Sequence, residues 1–421
     1  MFRHLEITSI ATFLSLHLVA SSALAGDWTN SGGNEGRNGL TDEIGPPTPT
    51  RAWSGGRSSL IAWHPVTEGR RTFMVRQPRW PYEQPHDAYV VAMDLITGQE
   101  LWAVELPYRT GDWIPWIAGV AGGKVYSSRS GNGASVSAPM YALNAEDGQV
   151  VWVSADETDA GAYDGVVFAP DGDLLVASFM DIWRLDSDTG ITVWHNTRLG
   201  SVSGTCGGAR FEDAFYVADA APGGHVLVRY DVETGARLYE SPVMTGFTIQ
   251  NTPMTGPDGT VYLNRAQVNP AVDFYYAFAD DGTQFIEKWR LAGNGGAAAE
   301  FGIGPDGSVY VITPGPRLAR VDPDTGTVLA ETAVLGGFSK ARIAIDVYGT
   351  VYLSNGAFST GRLYAYSRYL TPLWDVADAN INIGGPSLGE FGTLVVCGVG
   401  TDVRAYRLPD AAGRRRGRPV R

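Results

Sequence analysis

The chain has 421 residues, of which 44% are hydrophobic, and its 53 glycines and 24 prolines are typical of a globular fold with many tight turns rather than of a disordered chain. Its net charge is −13, although five arginines stand among the last eight residues, so that the remaining chain carries −18. An acidic body of this kind repels nucleic acids and anionic lipids, which excludes a nucleic-acid-binding protein.

Residues 1–25 are predicted to form a secretory signal peptide. Arg3 gives a basic start, residues 7–20 are mostly apolar, and Ala23-Leu24-Ala25 has the small-x-small pattern of a cleavage site. The apolar stretch is too short to span a bilayer stably, and no second long apolar run follows it. We therefore expect cleavage near Ala25, no transmembrane segment in the mature chain, and a periplasmic or secreted bacterial protein.

The rest of the chain is predicted to be one large domain with short flanking segments. Residues 26–49 form a lead-in, residues 50–409 form a repeat domain, and residues 410–421 form a disordered basic tail. Length alone would allow two or three domains. The uninterrupted repeat favours a single closed domain instead.

One phrase recurs along the chain at a nearly constant interval. It usually places an aspartate before a turn glycine and ends in an aromatic residue. The copies are AMDLITGQELW (92–102), ALNAEDGQVVW (142–152), RLDSDTGITVW (184–194), RYDVETGARLY (229–239) and RVDPDTGTVLA (320–330). Successive turn glycines lie 42 to 50 residues apart. A period in this range predicts an array of supersecondary units that bury their faces against one another.

Each unit is predicted to be a four-stranded antiparallel blade. A Pro-Asp-Gly turn between two short strands precedes the recurring phrase, as in residues 169–176, 256–263 and 304–311. Asp-Gly between β-branched and aromatic runs is a hairpin signal. The predicted fold class is therefore all-β, and the architecture is an eight-bladed β-propeller.

The eighth unit lacks one strand. It begins near Ile383, continues through residues 393–397 and 403–407, and then has no outer strand. Residues 50–54 have the pattern of that missing strand, with Trp53 at the tryptophan position. We therefore predict that an N-terminal strand completes blade eight and closes the ring, because closure removes exposed sheet edges.

The recurring phrase resembles the tryptophan-docking phrase of the pyrroloquinoline-quinone-like propellers, which include quinoprotein alcohol dehydrogenases and the barrel-assembly propeller of the bacterial outer membrane. The resemblance covers about residues 50–408, and it is nearest to the non-enzymatic barrel-assembly type. It implies that the aromatic residue of each phrase packs between blades. These structural docking residues are Trp53, Trp102, Trp152, Trp194, Tyr239, Trp289 and Trp374.

Three blades depart from the family pattern. Blade five is one residue short at residues 277–282, which would displace Trp289. Blade six ends in Ala330 instead of an aromatic residue, and blade seven has Ser367 and Thr371 without the turn glycine. We expect these three blades to be less regular than the others.

The sequence indicates no catalytic, cofactor-binding or metal-binding residues, which favours a non-enzymatic protein. The resemblance to quinoprotein dehydrogenases would imply a vicinal disulfide, a Ca²⁺ ion and a stacking tryptophan, but Cys206 and Cys397 are not adjacent. Residues 186–190 and 322–326 begin like calcium loops and lack the glutamate at position twelve. A quinone-dependent oxidoreductase that uses pyrroloquinoline quinone and Ca²⁺ is the alternative interpretation.

Aromatic residues concentrate in the connections around blade one. The candidate partner-binding residues are Trp80, Tyr82, Tyr108, Trp113 and Trp116. Rigid aromatic side chains on loops give contact area at low entropic cost, as interface hot spots do. The alternative is that Trp113 and Trp116 pack beneath the first inner strands.

Together these features predict a monomeric scaffold that binds an envelope or extracellular protein, or a glycan, through loops on one face. The family resemblance implies a role in the assembly of envelope or outer-membrane proteins. A carbohydrate-binding propeller and the oxidoreductase remain the alternatives. No cofactor is expected for the scaffold.

Overall fold

The computed structural model describes residues 26–59, 64–77, 88–107, 109, 114–130, 136–159, 166–200, 207–244, 252–268, 271–293, 302–338, 342–381, 384–398 and 401–408. These residues form eight four-stranded antiparallel sheets. A 3₁₀ turn at Glu390–Gly392 is the helical element among them. The predicted all-β, eight-bladed propeller is confirmed.

The strands follow one another in regular order along the chain. The N-terminal strand is β1 (Arg51–Ser59). Blade one consists of β2 (Val66–Glu68), β3 (Arg71–Arg76), β4 (Tyr89–Asp94) and β5 (Glu100–Val104), and blade two consists of β6 (Ile114–Ala121), β7 (Lys124–Ser130), β8 (Ala138–Asn144) and β9 (Val150–Thr158). Blade three consists of β10 (Val167–Phe168), β11 (Leu174–Ala177), β12 (Asp181–Leu185) and β13 (Thr192–Thr197), and blade four consists of β14 (Gly208–Phe211), β15 (Ala214–Ala221), β16 (Gly224–Asp231) and β17 (Arg237–Glu240). Blade five consists of β18 (Met254–Thr255), β19 (Val261–Val268), β20 (Ala271–Asp280) and β21 (Phe285–Ala292), and blade six consists of β22 (Gly302–Ile303), β23 (Val309–Thr313), β24 (Arg317–Val321) and β25 (Val328–Glu331). Blade seven consists of β26 (Arg342–Ile345), β27 (Val351–Ser354), β28 (Arg362–Tyr366) and β29 (Pro372–Ala377). Blade eight consists of β30 (Gly384–Gly389), β31 (Thr393–Cys397) and β32 (Thr401–Tyr406), with β1 as its outer strand.

The N-terminal strand closes the ring as predicted. β1 pairs antiparallel with β32, so that Arg51 lies opposite Tyr406 and Trp53 lies opposite Ala405. The first strands of neighbouring blades contact one another, and β2 contacts both β6 and β30. The first strands therefore surround the central channel.

Burial follows the position of a strand within its blade. All residues of β11 and β23 are buried, because neighbouring blades cover both faces of these strands. The outer strands β13 and β29 alternate between half-buried and exposed residues, which is the period of two expected at a rim. The hydrophobic core thus lies between adjacent blades.

The tryptophan of most phrases lies against the turn of the next blade. The indole N–H of Trp152 donates to the carbonyl oxygen of Ser187, 2.9 Å away. Its ring covers Gly190, where a Cβ atom would come within 2.5 Å of the ring and where the φ of +72° also favours glycine. Four other indoles donate to the equivalent turn carbonyl: Trp53 to Leu95, Trp102 to Ala145, Trp194 to Val232 and Trp289 to Pro323.

The expected displacement of Trp289 is wrong. Trp289 pairs with Ala277 in the same register in which Trp102 pairs with Ala92. The turn itself is shorter, since Asp281 closes it by donating its backbone N–H to the carbonyl of Gln284, but the two strands continue through the added pairs Ala279–Ile286 and Asp280–Phe285. The longer ladder offsets the shorter turn, so the tryptophan keeps its register.

The junction between blades four and five uses a carboxylate in place of a turn carbonyl. The hydroxyl of Tyr216 donates to Asp280 at 2.7 Å, and the hydroxyl of Tyr239 donates to the same carboxylate. The Arg229 guanidinium pairs with Asp280 at 3.0 Å. The Asp280 side chain is only 5% exposed, so its charge is satisfied by these three donors inside the junction.

The junction between blades six and seven compensates for Ala330. Leu370 of blade seven belongs to the buried cluster against which Ala330 packs. The hydroxyl of Tyr310 donates to the carbonyl oxygen of Arg368, 2.8 Å away, and so replaces an indole N–H. Leu370 has a φ of +64° at the position where other turns have glycine.

Candidate functional site: the capped and open faces

The lead-in covers one end of the central channel. Trp28 and Thr67 exchange two backbone hydrogen bonds of 2.9 and 3.0 Å at the end of β2. Further backbone bonds join the lead-in to the first strands of five more blades: Thr29 to Val120, Glu35 to Arg210, Gly36 to Thr255, Asn38 to Ile303, and Gly39 and Thr41 to Ile345. Because the partners surround the channel, the lead-in closes this end, which we call the capped face.

Two glycines and an asparagine allow the lead-in to lie close to the first strands. A Cβ atom at Gly36 would come within 2.7 Å of the Thr255 hydroxyl, and one at Gly39 would come within 2.7 Å of the Ile343 carbonyl oxygen. The Asn38 amide donates to the Thr255 carbonyl oxygen at 2.8 Å. Half of the lead-in residues 26–49 are buried as a result.

The opposite face of the ring, which we call the open face, carries the connections between second and third strands and between consecutive blades. Gln77 and Ala88 flank one such connection, and Pro107 and Ile114 flank another. Four of the candidate partner-binding residues fall within these connections and lie outside the described residues: Trp80, Tyr82, Tyr108 and Trp113.

Trp116 is placed differently from the other four aromatic candidates. It lies on the inner strand β6, is 1% exposed, and belongs to the hydrophobic cluster of the first blades. Its position on an inner strand points it into the packing between blades, so it does not offer contact area to a partner. The prediction that Trp116 binds a partner is therefore corrected: Trp116 is a core residue.

The loops that resemble calcium sites are closed turns. Asp186 accepts hydrogen bonds from the backbone N–H of Thr189 at 2.8 Å and from the Thr189 hydroxyl at 2.7 Å. The hydroxyl bond is the largest cause of the lowered pKa of Asp186. Asp322 accepts the same two bonds from Thr325. Among the residues that the structure describes, no group of three or more histidine, cysteine or acidic side chains could hold a metal ion.

An acidic cluster on the capped face was not found from the sequence. Burial, together with the charges of Glu68, Glu390 and Asp42, raises the pKa of Asp27 to about 7. These residues come from three separate segments of the chain. Their charges therefore converge only when the lead-in lies across blades one and eight.

The residues present do not fit a quinone held in the manner of the quinoprotein dehydrogenases. Cys397 lies on β31, where it is completely buried and burial raises its pKa to about 12. Cys206 lies outside the described residues and cannot be its neighbour in the chain. The vicinal disulfide that the family uses under its cofactor is therefore not available in this chain.

Comparisons with known proteins agree with the repeat pattern. Residues 86–277 match a family model described as outer membrane protein assembly factor BamB. No curated protein matches the chain. Among the described residues, no helix is long and apolar enough to cross a membrane.

Solved structures share the fold at low sequence identity. The computationally designed Ika8 protein is 11% identical with a TM-score of 0.61, and the match covers 85% of this chain and 99% of that one. The Dos1 propeller is 11% identical with a TM-score of 0.57, covering 86% and 94%. BamB from Moraxella catarrhalis is also matched, at 13% identity and a TM-score of 0.38 over 84% of this chain and 85% of that one, and the agreement in fold rests on the other two structures.

The repeat phrases, the indole bonds between blades and the family model all describe the same unit. Trp102, Trp152 and Trp194, which lie within the matched residues, each bond to the turn of the following blade. Residues 86–277 are therefore similar to the pyrroloquinoline-quinone-like propeller repeats of that family model, and the rest of the chain forms blades of the same four-stranded kind.

Proposed function

We propose that this protein is a non-enzymatic scaffold of the bacterial cell envelope that binds another envelope protein through its open face. The signal peptide directs export and is cleaved near Ala25, and the partner takes part in the assembly of envelope or outer-membrane proteins. The family model of residues 86–277, with its description as an outer-membrane assembly factor, supports the class of partner.

The capped channel is the observation that favours the open face as the partner-binding face. Six blades bond to the lead-in on one side of the ring, so that side is already occupied by the chain itself. The connections that contain Trp80, Tyr82 and Trp113 begin and end on the other side. Aromatic residues of this kind dominate the energetics of protein interfaces.

Crosslinking in native envelopes tests the proposal. The protein should capture one discrete partner, and Tyr82→Ala or Trp113→Ala should weaken that capture at least tenfold. Tyr348→Ala is the matched control, because Tyr348 is 56% exposed in a turn of the capped face. Capture that depends on Tyr348 and not on the other two residues would refute the choice of face.

Two further measurements separate the scaffold from its alternatives. Titration with pyrroloquinoline quinone and Ca²⁺ should give no stoichiometric uptake, and tight uptake with dye-reducing activity would make the protein an oxidoreductase. A partner released by glycosidase treatment of the envelopes would make it a carbohydrate-binding propeller. Recovery of a protein partner that survives this treatment supports the proposal.

A further inference from the structure

The backbone nitrogen of Gly26 lies inside the acidic cluster of the capped face. It donates to Asp42 Oδ1 at 2.9 Å. A Cβ atom at Gly26 would come within 2.5 Å of Glu43 Oε1 and 3.0 Å of Glu390 Cγ, and the φ of Gly26 is +94°. The position is buried and favours glycine, so the Gly26 backbone bonds to Asp42 and lies beside the side chains of Glu43 and Glu390.

The charged groups of this cluster come from three parts of the fold. The lead-in contributes Asp27, Asp42 and Glu43, the hairpin of β2 and β3 contributes Glu68 and Arg71, and the turn after β30 contributes Glu390. Arg71 lowers the pKa of Glu68 only in part, since burial keeps that pKa above its ordinary value. The charges that act on Asp27 are all carboxylates.

We propose that this pocket binds the α-ammonium group of the mature chain, with Gly26 as the first residue and Asp42 and Glu43 as its anionic partners. The proposal rests on the export step of the proposed function. A signal peptidase adds water across the Ala25–Gly26 peptide bond. Ala25 leaves with the new carboxylate, and the new amine of Gly26 takes up a proton.

Cleavage changes the electrostatics of the pocket without moving the nitrogen. An amide offers one neutral N–H to Asp42, whereas an ammonium offers three donors and a positive charge. The amide bond to Asp42 already has one charged partner, and the ammonium adds the Coulomb attraction of a second charge. Removal of the signal peptide therefore adds a positive charge beside Asp42, which strengthens the attachment of the lead-in over the channel.

The pH dependence follows from the sign of this interaction. The carboxylates raise the pKa of the amine above its ordinary range of about 7.7 to 8.0. A group whose pKa is raised by folding stabilises the folded state fully below its unfolded pKa, and this stabilisation is lost as pH rises through the folded pKa. Mature protein should therefore be most strongly stabilised near neutral pH and lose the effect toward pH 10.

Two proteins that differ by one residue test the proposal. One begins at Gly26, released from a fusion by a protease that cuts directly before it, and the other begins at Ala25. At pH 7 the first should melt about 2 °C or more above the second, and the difference should vanish at pH 10. Asp42→Asn should shrink the difference, because it lowers the melting temperature of the first protein more than that of the second, in which Asp42 accepts only an amide N–H.

The outcomes are distinct from those of partner binding. Equal melting temperatures at pH 7, or a difference that persists at pH 10, would refute the ammonium pocket. Mass spectrometry of the exported protein should give Gly26 as its first residue, and any other first residue would remove the basis of the proposal. The crosslinking experiment on the open face does not depend on either result, so the two proposals can fail separately.

Discussion

The indole N–H of Trp374 donates to the carbonyl oxygen of Pro46, 3.1 Å away, and this bond joins blade seven to the lead-in. The hydroxyl of Tyr352 donates to the same oxygen at 3.3 Å. In most other blades the acceptor belongs to the turn of the next blade. Blade eight has no such turn because its outer strand comes from the N-terminus, and the residues just before β1 supply the acceptor instead.

Gly45→Ala should break this junction. A Cβ atom at Gly45 would overlap the ring of Tyr352, so the substitution must displace Pro46 or the ring. We expect a loss of about 1–3 kcal/mol in the free energy of unfolding, measured by urea denaturation. Gly336→Ala is the control, because Gly336 has no atom within 4 Å of its Cβ position. Equal stability of the two variants would contradict this account of the junction.

Gly190→Ala should cost more stability than Gly282→Ala. Both glycines have a left-handed φ, of +72° and +87°, so both variants incur about 1–2 kcal/mol from the backbone. Only Gly190 lies beneath a docked ring, that of Trp152, whereas the Cβ position of Gly282 is open. The extra loss at Gly190 should be about 1–3 kcal/mol in urea denaturation. If both variants lose the same amount, ring docking adds nothing to stability.

Asp280→Asn should weaken the contact between blades four and five. The substitution keeps the shape of the side chain but removes the negative charge that Arg229, Tyr216 and Tyr239 share. Arg229 keeps its ion pair with Asp213 at 3.1 Å, but the buried acceptor loses its charge, which should cost about 1.5–3 kcal/mol in the free energy of unfolding. The neighbouring Asp281→Asn is exposed and should cost much less. A smaller effect at Asp280 than at Asp281 would argue against the carboxylate as the element that joins these blades.

Acid unfolding should depend on the threonines of the blade turns. Hydrogen bonds from Thr189, Thr234 and Thr325 lower the pKa of Asp186, Asp231 and Asp322 below their ordinary value of 3.8. Each contribution to stability is therefore present above about pH 4 and is lost as pH falls through the lowered folded pKa.

The measurement is circular dichroism during an acid titration. A triple Thr→Val variant at these three turns should unfold at a higher pH than the unmodified protein. The triple Thr→Ser variant keeps the hydroxyls and should unfold close to the original midpoint. A midpoint that is the same for valine and serine would show that the hydroxyls do not set the acid limit.

Local patterns were sufficient to predict the blades and the closure of the ring. The turn glycine and the tryptophan four residues after it lie in one continuous phrase, as in Gly98 and Trp102, so the period could be read directly. The closure was predictable because the eighth unit lacked a strand whose pattern occurred near the N-terminus. The alternatives left open for Trp116 were decided by its position on an inner strand.

The remaining features depend on partners that are distant in the sequence. Tyr310 donates to the backbone carbonyl of Arg368, and Trp374 donates to that of Pro46. Because every residue has a backbone carbonyl, the sequence does not reveal which one accepts such a bond. Asp280 stands in an ordinary turn position, and only the fold brings Tyr216 to it. The acidic cluster around Gly26 likewise exists only once the lead-in crosses the channel.

The pairing of β1 with β32 also constrains how the protein can form during synthesis. The strand that leaves the ribosome first is the hydrogen-bonded partner of the strand that leaves last. A nascent chain that does not yet include β32 cannot form the closed ring. Blades that fold before then leave one edge uncovered. Aggregation of translation intermediates is the hazard of this design.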